Sequence, residues 1–501
     1  MASRRFSPFL ISTALAAGLA LGSGPMAAET LTDALITAYQ TSPLLEANRA
    51  ALRNLDENVP QARANRRPQV GASISGQTGT TVEELDFGVA GIEASLTATL
   101  LLFDNGQTAA AVEAARNQVA SGRADLKDVL DQWWSYYNQC SECRRCSVFC
   151  PYGIDTAEIT MAAREIMDAV GLGQKYANEI IGKVHRIGNN LGLPGPALED
   201  TLEGLEEDTK DETGVDVRFP LDVKGAEVLL VTPSADFFSE PHVDSLIGYA
   251  KVFHAAGISW TLSSMASEAG NFGLFIGNYE QLRKIAMRIR EAALELGVKR
   301  IVVGECGHAW RVAYSFWNTL TGVGAGGKDP FAIQLQSQLD PRHKQPTHIC
   351  ELTWDLIQRG ALKFDKEKND SRIVTFHDSC NVARASRMGD APGGQFTIPR
   401  AIIRAVANHY VEMPEGTTHE ATFCCGGGGG LLTDDLMEVR VKGALPRMEA
   451  LKTVVDAHGV NFMATICAIC KAQFSKVLPY YGFDMSLVGG VHQLVSKAIR
   501  L

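Results

Sequence analysis

The sequence predicts an α/β protein with a duplicated sheet region, an all-α segment before it, and an N-terminal α+β fragment too short for a complete domain. Three observations carry this. Short apolar strands alternate with amphipathic helices from Glu227 on, and the alternation restarts near Ile373. A run of four closely spaced cysteines begins at Cys140 among helical segments. All 11 cysteines lie from Cys140 onward, so the first part of the chain carries no thiol while the rest has the composition of a reduced-compartment metalloprotein. The 501 residues suffice for roughly two to four domains. The net charge of -10 argues against nucleic acid as a partner.

Residues 1–28 have a basic start (Arg4, Arg5), an apolar run from Phe9 to Leu21 and a small-residue end at Ala27-Ala28, the layout of a secretory signal peptide. The run is short and rich in Gly and Ala for a spanning helix. Arg4-Arg5 suggests twin-arginine export, but Phe6-Ser7-Pro8 departs from that pattern, which favours an ordinary Sec-type signal. Helical periodicity follows over Leu31–Leu55, strand-like segments over Gln69–Gln77 and Ile92–Phe103, and an Ala-rich helix over Gln107–Val119. Thr30-Leu31-Thr32-Asp33-Ala34-Leu35 with Ser42-Pro43, and Leu102-Phe103-Asp104-Asn105-Gly106, resemble the start of TolC-type outer-membrane efflux proteins. The resemblance covers only residues 1–120, and two strands cannot close a transmembrane barrel. A truncated efflux protein is therefore the weaker reading.

An aromatic-rich helix, Leu126–Tyr137, leads into Cys140-Ser141-Glu142-Cys143-Arg144-Arg145-Cys146-Ser147-Val148-Phe149-Cys150-Pro151. This is CxxCxxCxxxCP, whose short spacings wrap backbone amides around a [4Fe-4S] cubane. Asp155 is placed to cap the next helix, and Ala162–Val170 and Tyr176–Leu191 continue the helical pattern. In two-cluster ferredoxins the fourth cysteine of such a run ligates the other cluster, and no cysteine precedes Cys140. Either Cys150 closes one cluster with Cys140, Cys143 and Cys146, or that cluster lacks a ligand and Cys150 is stranded. The join between the two kinds of sequence reads as a natural fusion, a rearranged gene or an assembly artefact. The acidic stretch Leu202–Asp216 reads as a solvated linker or helix face, with a docking surface for a basic partner as the alternative.

Strands are expected at Val228–Val231, Ser259–Leu262 and Arg300–Val303, with helices at Leu246–Ala255 and Tyr279–Leu296. The second round gives strands at Ile373–Phe376 and Phe462–Ile466 and helices at Pro399–Val406 and Leu436–Leu451. Such alternation implies mostly parallel sheets with ligands at the carboxyl ends of strands. The rounds align as repeats: Glu268-Ala269-Gly270-Asn271-Phe272-Gly273 falls on Cys424-Cys425 and the glycines Gly426–Gly430, and Glu305-Cys306-Gly307-His308 falls on Cys467-Ala468-Ile469-Cys470. One round thus keeps a ligand set that the other has lost. The glycines lack the Lys-Ser/Thr of a phosphate loop, because Leu431, Leu432 and Thr433 follow them; positive φ and close approach of amides to sulfur explain them better.

Cys380, Cys424, Cys425, Cys467 and Cys470 are five soft ligands, more than a four-ligand zinc site uses. Disulfides or buried small side chains are the plainer alternative. Cys306, His308 and His377, with Asp378, are candidates for a substrate-side thiol and proton donors, against ordinary core or strand-end roles; Cys350 reads as a buried bystander.

The order Cys380, Cys424-Cys425-Gly426, Cys467-Ala468-Ile469-Cys470 resembles the CCG domain of heterodisulfide reductase catalytic subunits. With Gly304-Glu305-Cys306-Gly307-His308, His377-Asp378-Ser379-Cys380 and Cys150-Pro151-Tyr152-Gly153, residues 123–501 resemble the DsrK family, heterodisulfide reductase-like iron-sulfur subunits of membrane complexes associated with dissimilatory sulfite reductase. The resemblance implies a noncubane [4Fe-4S] cluster on Cys380, Cys424, Cys425, Cys467 and Cys470, and a [4Fe-4S] cubane inlet on Cys140, Cys143, Cys146 and Cys150. It implies a cytoplasmic position at the inner membrane, which the signal-like segment contradicts. It also implies a membrane cytochrome b subunit (DsrM-like) and a sulfur-carrier protein (DsrC-like), whose disulfide or trisulfide would be cleaved or formed. A soluble CCG-domain subunit of a heterodisulfide, glycolate or lactate oxidoreductase, with a flavoprotein partner, is the neighbouring alternative. The implied organisation is 1–28 signal-like, 29–122 TolC-like, 123–215 helical ferredoxin-like, 216–360 degenerate CCG repeat and 361–501 intact CCG repeat.

Overall fold

A computed structural model describes residues 43–77, 91–315, 330–386 and 394–501. The signal-like segment 1–28 and the first part of the expected helix Leu31–Leu55 lie outside these residues. The chain divides into two compact units, with the boundary between Trp133 and Trp134.

In the first unit, α1 (Pro43–Ala64) precedes an antiparallel pair, β1 (Gln69–Gln77) and β2 (Gly91–Thr99), and then α2 (Gln107–Asn138), which carries the boundary. The register sets Val70 opposite Ala98, Ala72 opposite Leu96 and Ile74 opposite Ala94, so one face of the pair is apolar, and its Val70, Ile74, Ile92 and Leu96 are exposed. A two-stranded sheet with an uncovered apolar face is marginal by itself. Two expectations are corrected here. The segment Ile92–Phe103 stops being strand at Thr99, and the two helices expected at Gln107–Val119 and Leu126–Tyr137 are one. The single Gly122 between them costs a helix only about 1 kcal/mol, too little to break one flanked by long helix-forming runs.

The second unit begins with helices: α3 (Arg145–Phe149), α4 (Thr156–Ala169), α5 (Lys175–Ile187) and α6 (Gly195–Thr213). Asp155 caps α4 as expected, accepting from the amides of Ala157 and Glu158. The acidic stretch is the outer face of α6. Its Leu198, Leu202, Leu205 and Thr209 are buried, while Glu206 pairs with Arg218 at 2.8 Å and Glu212 with Lys251 at 3.0 Å. It is not a linker, because apolar residues at helical spacing give it a face to bury.

Two parallel sheets follow. The first has the order β4 (Trp260–Thr261), β3 (Val228–Val231), β5 (Arg300–Val303), β6 (Thr347–His348); the second has the order β7 (Val374–His377), β8 (Phe462–Thr465), β9 (Val488–Gly490). The helices between and after their strands include α7 (His242–Ala256), α8 (Asn271–Phe275), α9 (Tyr279–Leu296), α10 (Gly307–Ser315), α11 (Pro330–Gln338), α12 (Ile349–Gln358), α13 (Cys380–Ala383), α14 (Gly394–Val406), α15 (Met437–His458), α16 (Ala468–Val477) and α17 (Val491–Ala498). Strand residues are buried on both faces, as parallel sheets covered by helices require. One apolar core runs from Val228–Val231 and Ile301–Val303 to Phe376, Phe462, Leu494 and Val495, joining both sheets. A second core holds Cys425, Cys467 and Cys470 among Met448, Leu451 and Phe474. Sequence periodicity missed β6 and β9, which are only two and three residues long. Sequence periodicity also missed α12, which starts in a capping box: His348 accepts from the Cys350 amide and Glu351 from the His348 amide. Among the described residues, no helix is long and apolar enough to cross a membrane.

Candidate metal centre

The carboxyl ends of β7 and β8 present the C-terminal cysteines. After β7 the chain turns at Asp378-Ser379 and Cys380 opens α13; after β8, Cys467 is the N-cap of α16 and Cys470 lies in its first turn. Ser379 and Thr465 join the two strand ends through their hydroxyls at 2.9 Å. The Cys424-Cys425 doublet is brought to them by its own loop. Thr422 donates to the Asp378 carbonyl at 2.9 Å, and Arg447 donates to Thr422 Oγ1 at 2.8 Å. Arg384 donates to the carbonyls of Glu420 and Thr422 and, through Nε, to that of Cys143 at 2.5 Å. One buried guanidinium therefore ties the doublet's loop to the ferredoxin-type loop.

The five sulfurs converge. The thiol of Cys424 hydrogen-bonds with Cys380, Cys425 and Cys143, Cys425 with Cys470, and Cys470 with Cys467. Hydrogen bonding with Cys424 and Cys470 holds Cys425 well below an ordinary thiol pKa, and hydrogen bonding with Cys470, then His308, does the same for Cys467. Cys380 is pushed well up by its bond to Cys424 and by burial. Amides point at the sulfurs: Gly426 N–H lies 3.3 Å from Cys424 Sγ, and the Gly427 amide bonds Cys425. All eleven cysteines are free thiols, which removes the disulfide reading. A convergent all-sulfur set, backed by amides and glycines, fits an iron-sulfur cluster.

The ferredoxin-type loop meets this set. Glu142 and Arg144 take left-handed φ of 54° and 56°, which folds the loop so that the Glu142 amide lies 3.3 Å from Cys140 Sγ and the Arg145 amide bonds Cys143. Cys140, Cys143 and Cys150 are partly buried, and Cys146 is exposed. Arg164, fully buried, pairs with Glu142 at 2.6 Å and donates to the carbonyls of Cys140, Phe275 and Gly429. A Cβ at Gly428 would stand 2.5 Å from the Ser141 carbonyl, and one at Gly429 2.5 Å from that of Cys140. The glycines are therefore required by the close approach of two backbones.

The other expected residues separate. Cys306 is buried beside Cys467, and burial pushes its thiol well up. His308 lies with Nδ1 4.0 Å from Cys467 Sγ and Nε2 2.9 Å from Asn381 Nδ2. His377 does not line the cleft described below. It is buried edge-on against Phe474, without a hydrogen-bond partner at either ring nitrogen, and burial pushes its pKa well down. Asp378 forms a buried ion pair with Arg400 at 2.7 Å and accepts from the His419 amide.

Two features escaped the sequence. Lys471, directly after Cys470, is fully buried, 2.9 Å from Ser245 Oγ and 3.5 Å from Glu305 Oε2. Burial alone would raise the Glu305 carboxyl; its bonds to His492 at 2.8 and 2.9 Å, with the charge of Lys471, bring it down to about 2. Glu305, Cys350 and His492 place three ligand atoms within 4.8 Å of one another, but the Lys471 ammonium beside Glu305 makes this a charge network. The second feature is a cleft of ≈ 400 Å³ that reaches Cys306, Gly427, Gly430, Ala468 and Ile469 from Tyr176 and Lys183. Glu268 lines it, accepting from Ser234 N and Oγ at 3.2 and 2.8 Å, with its carboxyl raised by burial to about 7. The signal for Glu268 was its alignment with the doublet; nothing local marks Lys471.

Known proteins resemble both parts of the chain. The CCG Cysteine-rich domain matches residues 374–475. The "Hdr-like menaquinol oxidoreductase iron-sulfur subunit 2" of Archaeoglobus fulgidus is 40% identical over 400 residues, 76% of this chain and 70% of that protein. One of the subunits of the dihydromethanophenazine:CoB–CoM heterodisulfide reductase of Methanosarcina mazei is 24% identical over 392 residues, 74% of this chain and 80% of that protein. The outer membrane efflux protein BepC of Brucella suis is 35% identical over 116 residues, 23% of this chain and 25% of its own length.

Proposed function

Because the chain belongs to the heterodisulfide reductase-like iron-sulfur subunits, and is thus an electron-transferring oxidoreductase subunit, we propose that it joins a quinol to a disulfide substrate. Cys380, Cys424, Cys425, Cys467 and Cys470 hold a noncubane [4Fe-4S] cluster, and Cys140, Cys143 and Cys146, with Cys150 as the fourth sulfur, hold a cubane. The single observation that carries this is the unbroken run of sulfur contacts from Cys467 through Cys470, Cys425 and Cys424 to Cys143. When bound there, such clusters supply electrons singly to a two-electron disulfide reaction.

The chain's own groups do the rest. Cys424 and Cys143 set the two ligand sets edge to edge, so no intervening side chain separates inlet from catalytic centre. Gly427 and Gly430 leave the cleft wall without side chains beside the doublet, where a substrate sulfur can approach. Cys306 lines the same cleft, and His308 stands behind Cys467.

In this reading the first sheet region is a degenerate copy of the second, and the domains run 123–215, 216–360 and 361–501. The partners are a cytochrome b subunit of DsrM type and a sulfur-carrier protein of DsrC type, met at the cytoplasmic face of the membrane. The related proteins' names, a menaquinol oxidoreductase and a heterodisulfide reductase, supply the donor and acceptor classes.

The test is anaerobic purification of the full chain with iron and sulfide counting, then EPR after oxidation with a thiol present. About eight irons and a thiol-dependent signal are expected from two four-iron clusters. About four irons with no such signal would reject the reading.

A further inference from the structure

The cleft that reaches the glycines following the doublet has several ionisable groups in its walls, and the disulfide reading on which this inference rests leaves two of them, His242 and Glu268, unused. On one side His242 donates from Nε2 to the Ala468 carbonyl at 2.9 Å, which leaves Nδ1 a bare acceptor with no partner. Burial, with the charge of Lys471, lowers its pKa to about 4, and its Nε2 proton is held on the Ala468 carbonyl. On the other side stands Glu268, buried, at the position that the repeat alignment matches to Cys424. A carboxylate in the ligand position of the degenerate copy no longer faces a cluster of its own; it faces the cleft of the intact one.

We propose that Glu268 is the proton donor to the thiolate released in this cleft when the substrate S–S bond is cleaved. The overall change is RSSR plus two electrons and two protons giving two RSH. The electrons come from the reduced iron-sulfur centre, one proton comes from Glu268, and the second, with the one that reloads Glu268, comes from water in the cleft. In the direction of thiol oxidation the same carboxylate takes the proton.

The surroundings suit the role. Ser234 holds the carboxyl through its N–H and hydroxyl, fixing its direction. The titratable groups around it and across the cleft are Asp236, Tyr176, Cys306, Glu179, Lys183 and His242. Asp236 is the charge that acts on it, and among the described residues no ion pair holds it as carboxylate. Burial and the nearby Asp236 keep it protonated up to about pH 7, the condition for a general acid at neutral pH.

The experiment uses the full-length holoprotein with dithionite-reduced methyl viologen as donor and bis(2-hydroxyethyl) disulfide as acceptor. Wild type should lose rate as pH rises through about 7. Glu268→Gln, nearly isosteric, should lower kcat by roughly a hundredfold and abolish that pH limb, and Glu268→Asp should restore part of both. An infrared titration gives a readout independent of turnover: a carboxylic-acid band in the wild type minus Glu268→Gln difference, in which Asp236 and Glu351, also raised to about 7, cancel, and which disappears near pH 7. A Glu268→Gln pH profile superposable on wild type, or the absence of that band, overturns the inference and leaves the disulfide reading standing. A wild type that shows the band but turns over no disulfide at any pH overturns that reading, and the proton donor with it.

Discussion

The thiols of Cys143 and Cys424 hydrogen-bond to each other, although one belongs to the ferredoxin-type loop and the other to the doublet of the C-terminal sheet region. Cys146, in the same short run as Cys143, is exposed. Substitution at the two positions should therefore differ. Cys143→Ser is expected to alter the EPR signals of both clusters, and Cys146→Ser those of the cubane alone. Equal effects on both signals would contradict the edge-to-edge arrangement.

Cys425 bridges Cys424 and Cys470 at the centre of the sulfur run. Cys425→Ser should reduce iron from about eight to about four per chain while the cubane signal persists. Metal analysis beside EPR on the same sample decides it.

Arg164 satisfies five groups at once, the carboxylate of Glu142 and the carbonyls of Tyr137, Cys140, Phe275 and Gly429, with no exposure to water. Arg164→Met leaves the buried Glu142 carboxylate with Arg311 at 3.8 Å as its remaining counterion, a loss of about 3 kcal/mol, and frees the cysteine loop from the glycines. Lower denaturant midpoints and incomplete cubane loading are expected together. Arg164→Lys should recover little, because an ammonium cannot reach this planar set of acceptors.

Glu305 is held between Lys471 and His492 with all three fully buried. Glu305→Gln leaves the Lys471 charge poorly matched and should cost about 3–5 kcal/mol; Glu305→Gln with Lys471→Met should cost less than either change alone. Urea unfolding of the three variants measures the coupling.

Stability should carry the mark of Glu268 as well. Its folded pKa of about 7 lies above the ordinary 4.5, so the native state binds the extra proton between those values. Relative to Glu268→Gln, wild type should hold its full advantage below pH about 4.5 and lose it as pH rises through about 7, by on the order of 3 kcal/mol. Paired urea curves at pH 5 and 8 would show it; a pH-independent difference would contradict the raised pKa.

The sequence by itself determined the strands Val228–Val231 and Arg300–Val303, the helix Tyr279–Leu296, and the nine cysteines proposed as ligands. These were legible because apolar period and short ligand spacing are local properties, fixed within a few residues of chain. The same locality read Gln107–Val119 and Leu126–Tyr137 as two helices where the structure has one, and read the buried-face helix Gly195–Thr213 as a linker or helix face without choosing. Only the tertiary structure decided that Cys143 touches Cys424, that Lys471 meets Glu305, and that Glu268 lines a cleft reaching Cys306 while His377 is enclosed against Phe474. Each depends on segments far apart in the chain that buried apolar surface brings together. Desolvation, which sets the charge of Glu305 and Glu268, exists only once that packing has formed.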